Sequence, residues 1–98
     1  MPFLDAARRA LKFKKHGQEF GCGNATEYEA MAERFFAAQV QPPVYEFERQ
    51  DGTRERVRFN ETTNEFGVKS AGGFILTYYR PDPAQHGRRT NLIYFWEQ

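Results

Sequence analysis

The spacing of apolar residues changes at Pro42-Pro43, and this change limits the folds open to the chain more than any other feature. Before the two prolines, apolar residues recur every three or four positions, which is the spacing of one helix face. After them, apolar and polar residues alternate, as they do in strands that are buried on one side. This order predicts an α+β chain in which helices come first and antiparallel strands follow.

Two helices are predicted before the prolines. The first covers about residues 3–13, with Asp5 early and basic residues later, a polarity that suits the helix dipole. The second covers about residues 24–38, because Asn24 can cap it and Glu27 follows three residues later, as in a capping box. The apolar residues of this second helix are expected to belong to the core.

A first hairpin is predicted from strands at about residues 44–49 and 55–59, with its turn at residues 51–52. A three-residue loop sets apolar residues opposite apolar ones and basic residues opposite acidic ones, which a two-residue loop does not. In this register Arg56 and Arg58 have glutamate partners. We therefore interpret these arginines as structural rather than as phosphate ligands.

A second hairpin is predicted from strands at about residues 65–69 and 73–79, and a strand at about 91–96 completes a four- to five-stranded sheet. Along the strand at 73–79, alternate residues point to opposite faces, and Phe74, Leu76 and Tyr78 form the more apolar set. The two helices are expected to pack on one face of this sheet. Ile75, Thr77 and Tyr79 are then predicted to share the open face.

The composition excludes several classes of protein. Aromatic residues make up 16% of the 98 residues, too much apolar surface for a disordered chain, and we expect residues 1–98 to form a single domain with one modest core. The single cysteine, Cys22, allows neither an internal disulfide nor a cysteine-based zinc site. No apolar run is long enough to cross a bilayer, and no spacing of His, Asp or Glu indicates a metal. No membrane, metal or cofactor is expected.

Charge is distributed unevenly along the chain, although the formal net charge is only +1. Residues 1–16 contain five Lys or Arg and one acidic residue, whereas residues 17–66 contain five basic and ten acidic residues. Residues 67–98 are again more basic than acidic. If the two basic ends meet in the fold, they form a face suited to a polyanion; otherwise the charges are spread over a solvated surface.

His16 stands directly after Lys14 and Lys15, and Lys12 lies one helical turn earlier. Histidine is suited to proton transfer near neutral pH, and lysine can bind phosphate. RNA supplies its own nucleophile, the 2′-hydroxyl. Such a cluster could therefore cleave RNA, with His16 as general base or acid and the lysines stabilising charge on the phosphorane. A solvated basic helix end is the alternative interpretation.

Other polar residues in the C-terminal half are candidates for the same site. Thr77 could bind a phosphate oxygen or be an ordinary strand threonine, and Arg80 could clamp a phosphate or form a salt bridge. His86 is a possible second acid or base, although a loop histidine of this kind is more often simply exposed. Tyr94 could belong to the core or to the site, and we expect it in the core. The remaining candidates for RNA contacts are Tyr79, by stacking on a base, and Arg88 and Arg89, by contacts with the backbone.

The segment KFKKHGQEFG at residues 12–21 resembles the lysine-lysine-histidine segment that opens the nuclease domain of colicin D. It is more similar still to the C-terminal ribonuclease domains of contact-dependent inhibition toxins and related polymorphic toxins. In those domains the segment precedes a helix with a pattern like that of residues 28–35. Strands that resemble TNEFGV at 63–68 and TYYRP at 77–81 then follow. The resemblance covers most of the chain, from about Lys12 to the last predicted strand.

This resemblance implies a fold shared with barnase-like, RelE-like and colicin-type ribonucleases. It implies metal-independent cleavage of RNA, often tRNA, that leaves a 2′,3′-cyclic phosphate and a 5′-hydroxyl. It implies that His16 is the catalytic histidine, that Lys14 and Lys15 are the basic residues before it, and that Thr77 lies in the active site. It also implies a cognate immunity protein, and some such toxins use a translation elongation factor. The chain would then be delivered from a longer secreted protein and act in the cytoplasm of a target bacterium.

Two other functions fit the same sequence. One is a ribosome-dependent messenger RNA nuclease of the RelE type, which would cleave only in the presence of ribosomes. The other is a non-catalytic module that binds RNA or protein. Such a module would bind RNA in a salt-dependent manner without producing new RNA ends.

Overall fold

Helices cover both faces of a four-stranded antiparallel sheet in the computed structural model, which describes residues 2–98. The strands follow one another in the sheet in chain order. The α+β class agrees with the prediction, but two short helices at the C-terminal end were not foreseen. The elements are α1 (Ala6–His16), a 3₁₀ turn (Gly17–Phe20), α2 (Ala25–Ala37), β1 (Val44–Glu48), β2 (Arg56–Asn60), β3 (Glu65–Lys69), β4 (Ile75–Tyr79), α3 (Pro83–His86) and α4 (Asn91–Trp96).

Helix α1 is shifted toward the C-terminus relative to its predicted span of about 3–13. Residues 2–4 pair with β4 instead of joining the helix: the Leu4 N–H donates to the Ile75 carbonyl, and the Ile75 N–H donates to the Pro2 carbonyl, each over 3.0 Å. Asp5 then caps the helix by accepting the N–H of Arg8 at 2.7 Å. The helix also ends three residues later than predicted, and His16 is its last residue.

Helix α2 agrees with its predicted span and cap. The Asn24 side chain accepts the N–H of Glu27 at 2.9 Å, and the Glu27 carboxylate accepts the N–H of Gly23 at 2.8 Å. At the other end, the buried guanidinium of Arg58 donates to the carbonyls of Phe35 and Ala38 over 2.9 and 2.8 Å. Arg58 therefore satisfies carbonyl groups at the helix C-terminus that would otherwise lack a partner.

The register of the first hairpin is the predicted one. Tyr45 lies opposite Phe59 and Phe47 opposite Val57. Arg58 pairs with Glu46 at 3.1 Å, in agreement with the prediction that this arginine is structural. Arg56 likewise lies opposite Glu48, within 3.7 Å of its carboxylate.

Strand β4 contains an irregularity that the predicted alternation missed. Ile75 pairs with Lys69, whereas Thr77 pairs with Val68, so that one extra residue is accommodated at Leu76. Ile75 and Tyr78 consequently lie in the same core cluster with α1 and α2. The prediction that Ile75 shares a face with Thr77 is therefore wrong.

Residues 91–96 form a helix, and the prediction of a final strand there is wrong. The Thr90 hydroxyl caps α4 by accepting the N–H of Ile93 at 3.1 Å. Phe95 is completely buried against β2 and β3, on the face opposite α1 and α2. Helices α1 and α2 lie together on the other face, and the face that was predicted to be open is covered by α4. No helix within residues 2–98 is long and apolar enough to span a membrane.

Candidate active site

A cleft of about 300 Å³ opens where the C-terminal end of α1 meets the end of β4 and helices α3 and α4. Helix α1 ends at His16 and β4 ends at Tyr79, so residues distant in the chain form the cleft only in the folded protein. Seven of the ten predicted site residues line it, namely Lys12, Lys15, His16, Thr77, Tyr79, Arg80 and His86. The other three, Lys14, Arg88 and Arg89, are exposed and do not line the cleft.

His16 is held in a fixed orientation by a carboxylate and an aromatic ring. Its Nδ1 lies 2.6 Å from Oε2 of Glu19, and its ring stacks on Tyr79 with ring centroids 5.0 Å apart. Only 13% of the side chain is exposed. An ionised carboxylate can only accept a hydrogen bond, so Nδ1 carries a proton. Nε2 has no hydrogen-bond partner within residues 2–98 and can accept or release a proton.

The 3₁₀ turn after α1 brings Glu19 to His16. Three residues complete one turn of a 3₁₀ helix, so side chains at positions i and i+3 lie on the same side. Gly17 begins this turn against the ring of Phe13, where a Cβ atom would lie 2.5 Å from the ring. A side chain at this position would therefore displace the turn or the ring, and with it the histidine–carboxylate pair.

Glu19 also connects α1 to β4. Its Oε1 accepts the N–H of Arg80 at 2.7 Å, and its carbonyl oxygen accepts a guanidinium N–H of Arg80 at 2.7 Å. The guanidinium lies 4.8 Å from the ring centroid of Phe20. Arg80 forms no ion pair within residues 2–98, and four of its five guanidinium N–H groups are unused there. It therefore presents a positive charge to the cleft.

Three hydroxyl groups lie on the opposite wall. Thr77 and Tyr79 share this face of β4, as predicted, and the Tyr79 and Tyr94 hydroxyls are hydrogen-bonded to each other. Burial, followed by the hydrogen bond with Tyr94, raises the pKa of Tyr79 above its ordinary value. Tyr79 therefore stays protonated. Tyr94 packs on Phe66 of the core, as predicted, and it also lines the cleft.

Both ring nitrogens of His86 are already engaged. Nδ1 accepts the N–H of Arg88 at 3.0 Å, which leaves Nε2 to donate to Oδ1 of Asn91 at 2.9 Å. Asn91 donates in turn to Asn64, over 2.8 Å. The ring stacks on Tyr94 with centroids 4.2 Å apart. This arrangement requires a neutral imidazole, so His86 positions the loop after α3 and is poorly placed to exchange protons.

The lysines and the arginine that line the cleft have no acidic partner in the described part of the chain. Lys12 and Lys15 form no ion pair within residues 2–98, whereas Arg88 is paired with Glu97. Burial, with a further contribution from Lys15 and Arg8, lowers the pKa of Lys12 below its ordinary value. The cleft therefore carries positive charge that a bound anion would stabilise.

Sequence reasoning missed Glu19 as a site residue. The sequence did contain an indication of this role, because an acidic residue three positions after His16 can reach the same side of a helical turn. Tyr94 and the partners of His86 gave no such local signal, since they reach the cleft only through the packing of α4. Within residues 2–98, no group of three or more His, Cys, Asp or Glu side chains could hold a metal ion.

The chain matches no protein-family model, and no curated protein is significantly similar to it in sequence.

Proposed function

We propose that this chain is an endoribonuclease that cleaves RNA by attack of the 2′-hydroxyl on the adjoining phosphate. The observation that carries the proposal is the His16–Glu19 pair, with Nε2 available, beside cations that have no acidic partner. A general base next to unpaired positive charge is what this reaction requires of a protein. The attacking nucleophile belongs to the RNA, so the protein needs none of its own.

In the proposed reaction, Nε2 of His16 takes the proton of the 2′-hydroxyl while its oxygen attacks phosphorus. Lys15 and Arg80 stabilise the negative charge of the phosphorane, and Thr77 donates to a phosphate oxygen. The bond from phosphorus to the 5′-oxygen then breaks, and the leaving oxygen takes a proton from water. The products are a 2′,3′-cyclic phosphate and a 5′-hydroxyl, and His16 returns its proton to water.

The biological setting of the proposal rests on the motif resemblance. By that resemblance the fold is of the barnase, colicin and RelE type, and tRNA is the substrate. The chain would reach the cytoplasm of a target bacterium from a secreted parent protein and be neutralised by an immunity protein. An elongation factor is a further proposed partner. Lys14, which the resemblance places in the site, is replaced in this proposal by Lys15 and Lys12, because these two line the cleft.

The proposal is tested by incubating total tRNA with the protein in EDTA, beside the His16→Ala variant. We expect the wild type to produce fragments with cyclic phosphate and 5′-hydroxyl ends, and the variant to leave the RNA intact. Circular dichroism shows whether the variant is folded. Intact RNA with the wild type, across a range of tRNAs and with elongation factor added, would refute the proposal. Activity lost on chelation would refute the metal-free mechanism.

A second candidate function is RNA binding without cleavage. The unpaired cations of the cleft support it, since they would attract a phosphate backbone whether or not chemistry follows. This candidate predicts salt-dependent binding, no new RNA ends, and little effect of His16→Ala beyond affinity. Measurement of binding and of RNA ends in the same samples separates the two functions.

A further inference from the structure

Helix α1 carries a row of three basic residues that extends beyond the cleft. Arg8, Lys12 and Lys15 are spaced four and three positions apart, so they lie on one side of the helix. Lys12 and Lys15 line the cleft, while Arg8 and Lys12 line a neighbouring groove of about 320 Å³. Lys12 therefore belongs to both concave surfaces, and the positive charge is continuous from one to the other.

The charge of this row is not neutralised within residues 2–98. None of the three side chains forms an ion pair there, whereas Arg9 of the same helix pairs with Glu29 at 3.3 Å. Arg8 is positioned by donating one N–H to the Leu76 carbonyl over 3.2 Å. A guanidinium has five N–H groups, so the others can bind a ligand.

The groove combines this charge with apolar surface. Leu11 lies between Arg8 and Lys12 in the sequence, lines the groove and is 62% exposed. Lys12 also has its pKa lowered, by burial and then by its two basic neighbours, so an anion placed there would relieve repulsion. Asp5 lies at the end of the groove away from Lys12, where its carboxylate caps helix α1. Phosphate is thus favoured only between Arg8 and Lys12.

We propose that the groove formed by Arg8, Leu11 and Lys12 is a second nucleotide subsite, which binds the phosphate next to the one that lies in the cleft. The midpoint between Arg8 and Lys12 lies about 7.5 Å from Lys15 along the helix axis, given a rise of 1.5 Å per residue. This length is of the order of one nucleotide. The proposal rests on the proposed function for the position of the scissile phosphate, but binding at the groove can be measured without cleavage.

The test uses fluorescently labelled oligoribonucleotides with 2′-O-methyl groups, which cannot be cleaved by the 2′-hydroxyl. Fluorescence anisotropy gives the association constant at a series of salt concentrations. Loss of one phosphate contact should reduce the slope of log K against log salt by about 0.7 for a single strand. We expect this reduction for Arg8→Gln with an octanucleotide, and no change for the matched control Arg9→Gln. A dinucleotide should bind Arg8→Gln and wild type equally.

The variant Arg8→Lys separates charge from structure, because it retains the charge and lacks the planar group that contacts the Leu76 carbonyl. It should retain the wild-type slope. Equal slopes for Arg8→Gln and wild type would overturn the subsite, and so would competition by polyglutamate as effective as that by RNA, which would indicate an acidic protein ligand. If octanucleotides bind as expected but no RNA is cleaved, only the proposed function fails.

Discussion

Two histidine–tyrosine stacks face the same cleft and differ in what their ring nitrogens do. His16 stacks on Tyr79 and His86 stacks on Tyr94, with ring centroids 5.0 and 4.2 Å apart. The hydroxyls of the two tyrosines are hydrogen-bonded to each other, so the stacks form one continuous wall. Residue type and stacking therefore do not distinguish the two histidines.

The hydrogen bonds do distinguish them. His16 donates from Nδ1 to Glu19 and leaves Nε2 without a partner within residues 2–98. His86 accepts with one nitrogen and donates with the other, so a further proton would displace the N–H of Arg88. The His16–Tyr79 stack can therefore exchange protons with a substrate, whereas the His86–Tyr94 stack supports the structure of the cleft. A histidine in a cleft is therefore a candidate base only when one of its nitrogens is available.

The largest expected effect comes from removing His16, and removing His86 is the comparison. His16→Ala should reduce the initial rate of tRNA cleavage in EDTA by about 10²–10⁴-fold, the usual contribution of a general base. His86→Ala should change the rate by less than about tenfold, because its ring does not exchange protons in the proposed reaction. Comparable losses for both variants, with both folded by circular dichroism, would show that the two histidines act as a pair.

Glu19→Gln should have the next largest effect. The two carboxylate oxygens of Glu19 accept from His16 and from the Arg80 N–H, and an amide can replace only one of these acceptors. If its NH₂ faces His16, it donates to Nδ1 and moves the ring proton to Nε2, the wrong tautomer for a base. We expect kcat to fall about 100-fold with KM little changed, measured by steady-state kinetics. Full activity would show that the carboxylate serves structure alone.

How far the sequence predicts this site depends on how local each contact is. His16 and Lys15 were identified because they are adjacent in the chain, and the register of β1 and β2 because its charges pair across the strands. Asn91, the partner of His86, was not identified, and Tyr94 was expected in the core, because both belong to α4, where a strand was predicted. An apolar run as short as that of residues 92–96 fits a buried strand or a short helix equally well, and only the cap at Thr90 and the packing of α4 decide.

The irregularity in β4 has a similar cause. Both backbone groups of Ile75 are bonded to the segment around Phe3, some seventy residues away in the chain. That pairing also delays the start of α1, because residues 2–4 bond to β4 instead of joining the helix. Alternation within residues 73–79 alone contains no sign of such a distant partner. The start of α1 and the irregularity in β4 thus depend on a contact that sequence patterns do not reveal.

Tyr94→Phe tests whether the His86–Tyr94 stack contributes to RNA cleavage as well as to the structure of the cleft. It removes the hydroxyl that pairs with Tyr79 and leaves the ring that stacks on His86. If the Tyr94 hydroxyl helps to bind the phosphate, cleavage should fall about tenfold, as expected for the loss of roughly one hydrogen bond, which contributes about 1.4 kcal/mol or less. An unchanged rate would show that the Tyr94 hydroxyl takes no part in the reaction, which then involves only the His16–Tyr79 side of the cleft.

His86→Phe should affect stability rather than activity. Phenylalanine can retain the stack on Tyr94 but loses both hydrogen bonds, to Arg88 and to Asn91. Since these partners are near solvent, we expect a loss of about 1 kcal/mol in the free energy of unfolding, or about 4–8 °C in Tm for a domain of this size. Thermal unfolding followed by circular dichroism measures the change. A Tm equal to that of the wild type would show that the His86 hydrogen bonds do not support the loop.

The smallest expected effect concerns the positive charge beside the His16–Tyr79 stack. Lys12 and Lys15 lie beside His16, and the pKa of Lys12 is lowered by burial and by its basic neighbours. A lysine whose pKa is lower in the folded state destabilises the protein below that pKa, and the penalty is relieved as the pH rises through it toward 10.5, the ordinary value. Lys12→Gln should therefore raise the free energy of unfolding at pH 7 by about 0.2–0.5 kcal/mol, the cost of like charges one helical turn apart.

The same variant should bind RNA less tightly, and its gain in stability over the wild type should shrink as the pH approaches 10.5. Urea denaturation of both proteins from pH 7 to pH 10 measures this difference and cancels the titration of groups that the two proteins share. Lys14→Gln is the matched control, since Lys14 is on the same helix but outside the cleft. A variant that loses both stability and binding would show that Lys12 supports the fold. One that gains stability while losing affinity would show that the charge beside His16 is retained for an anion at the expense of stability.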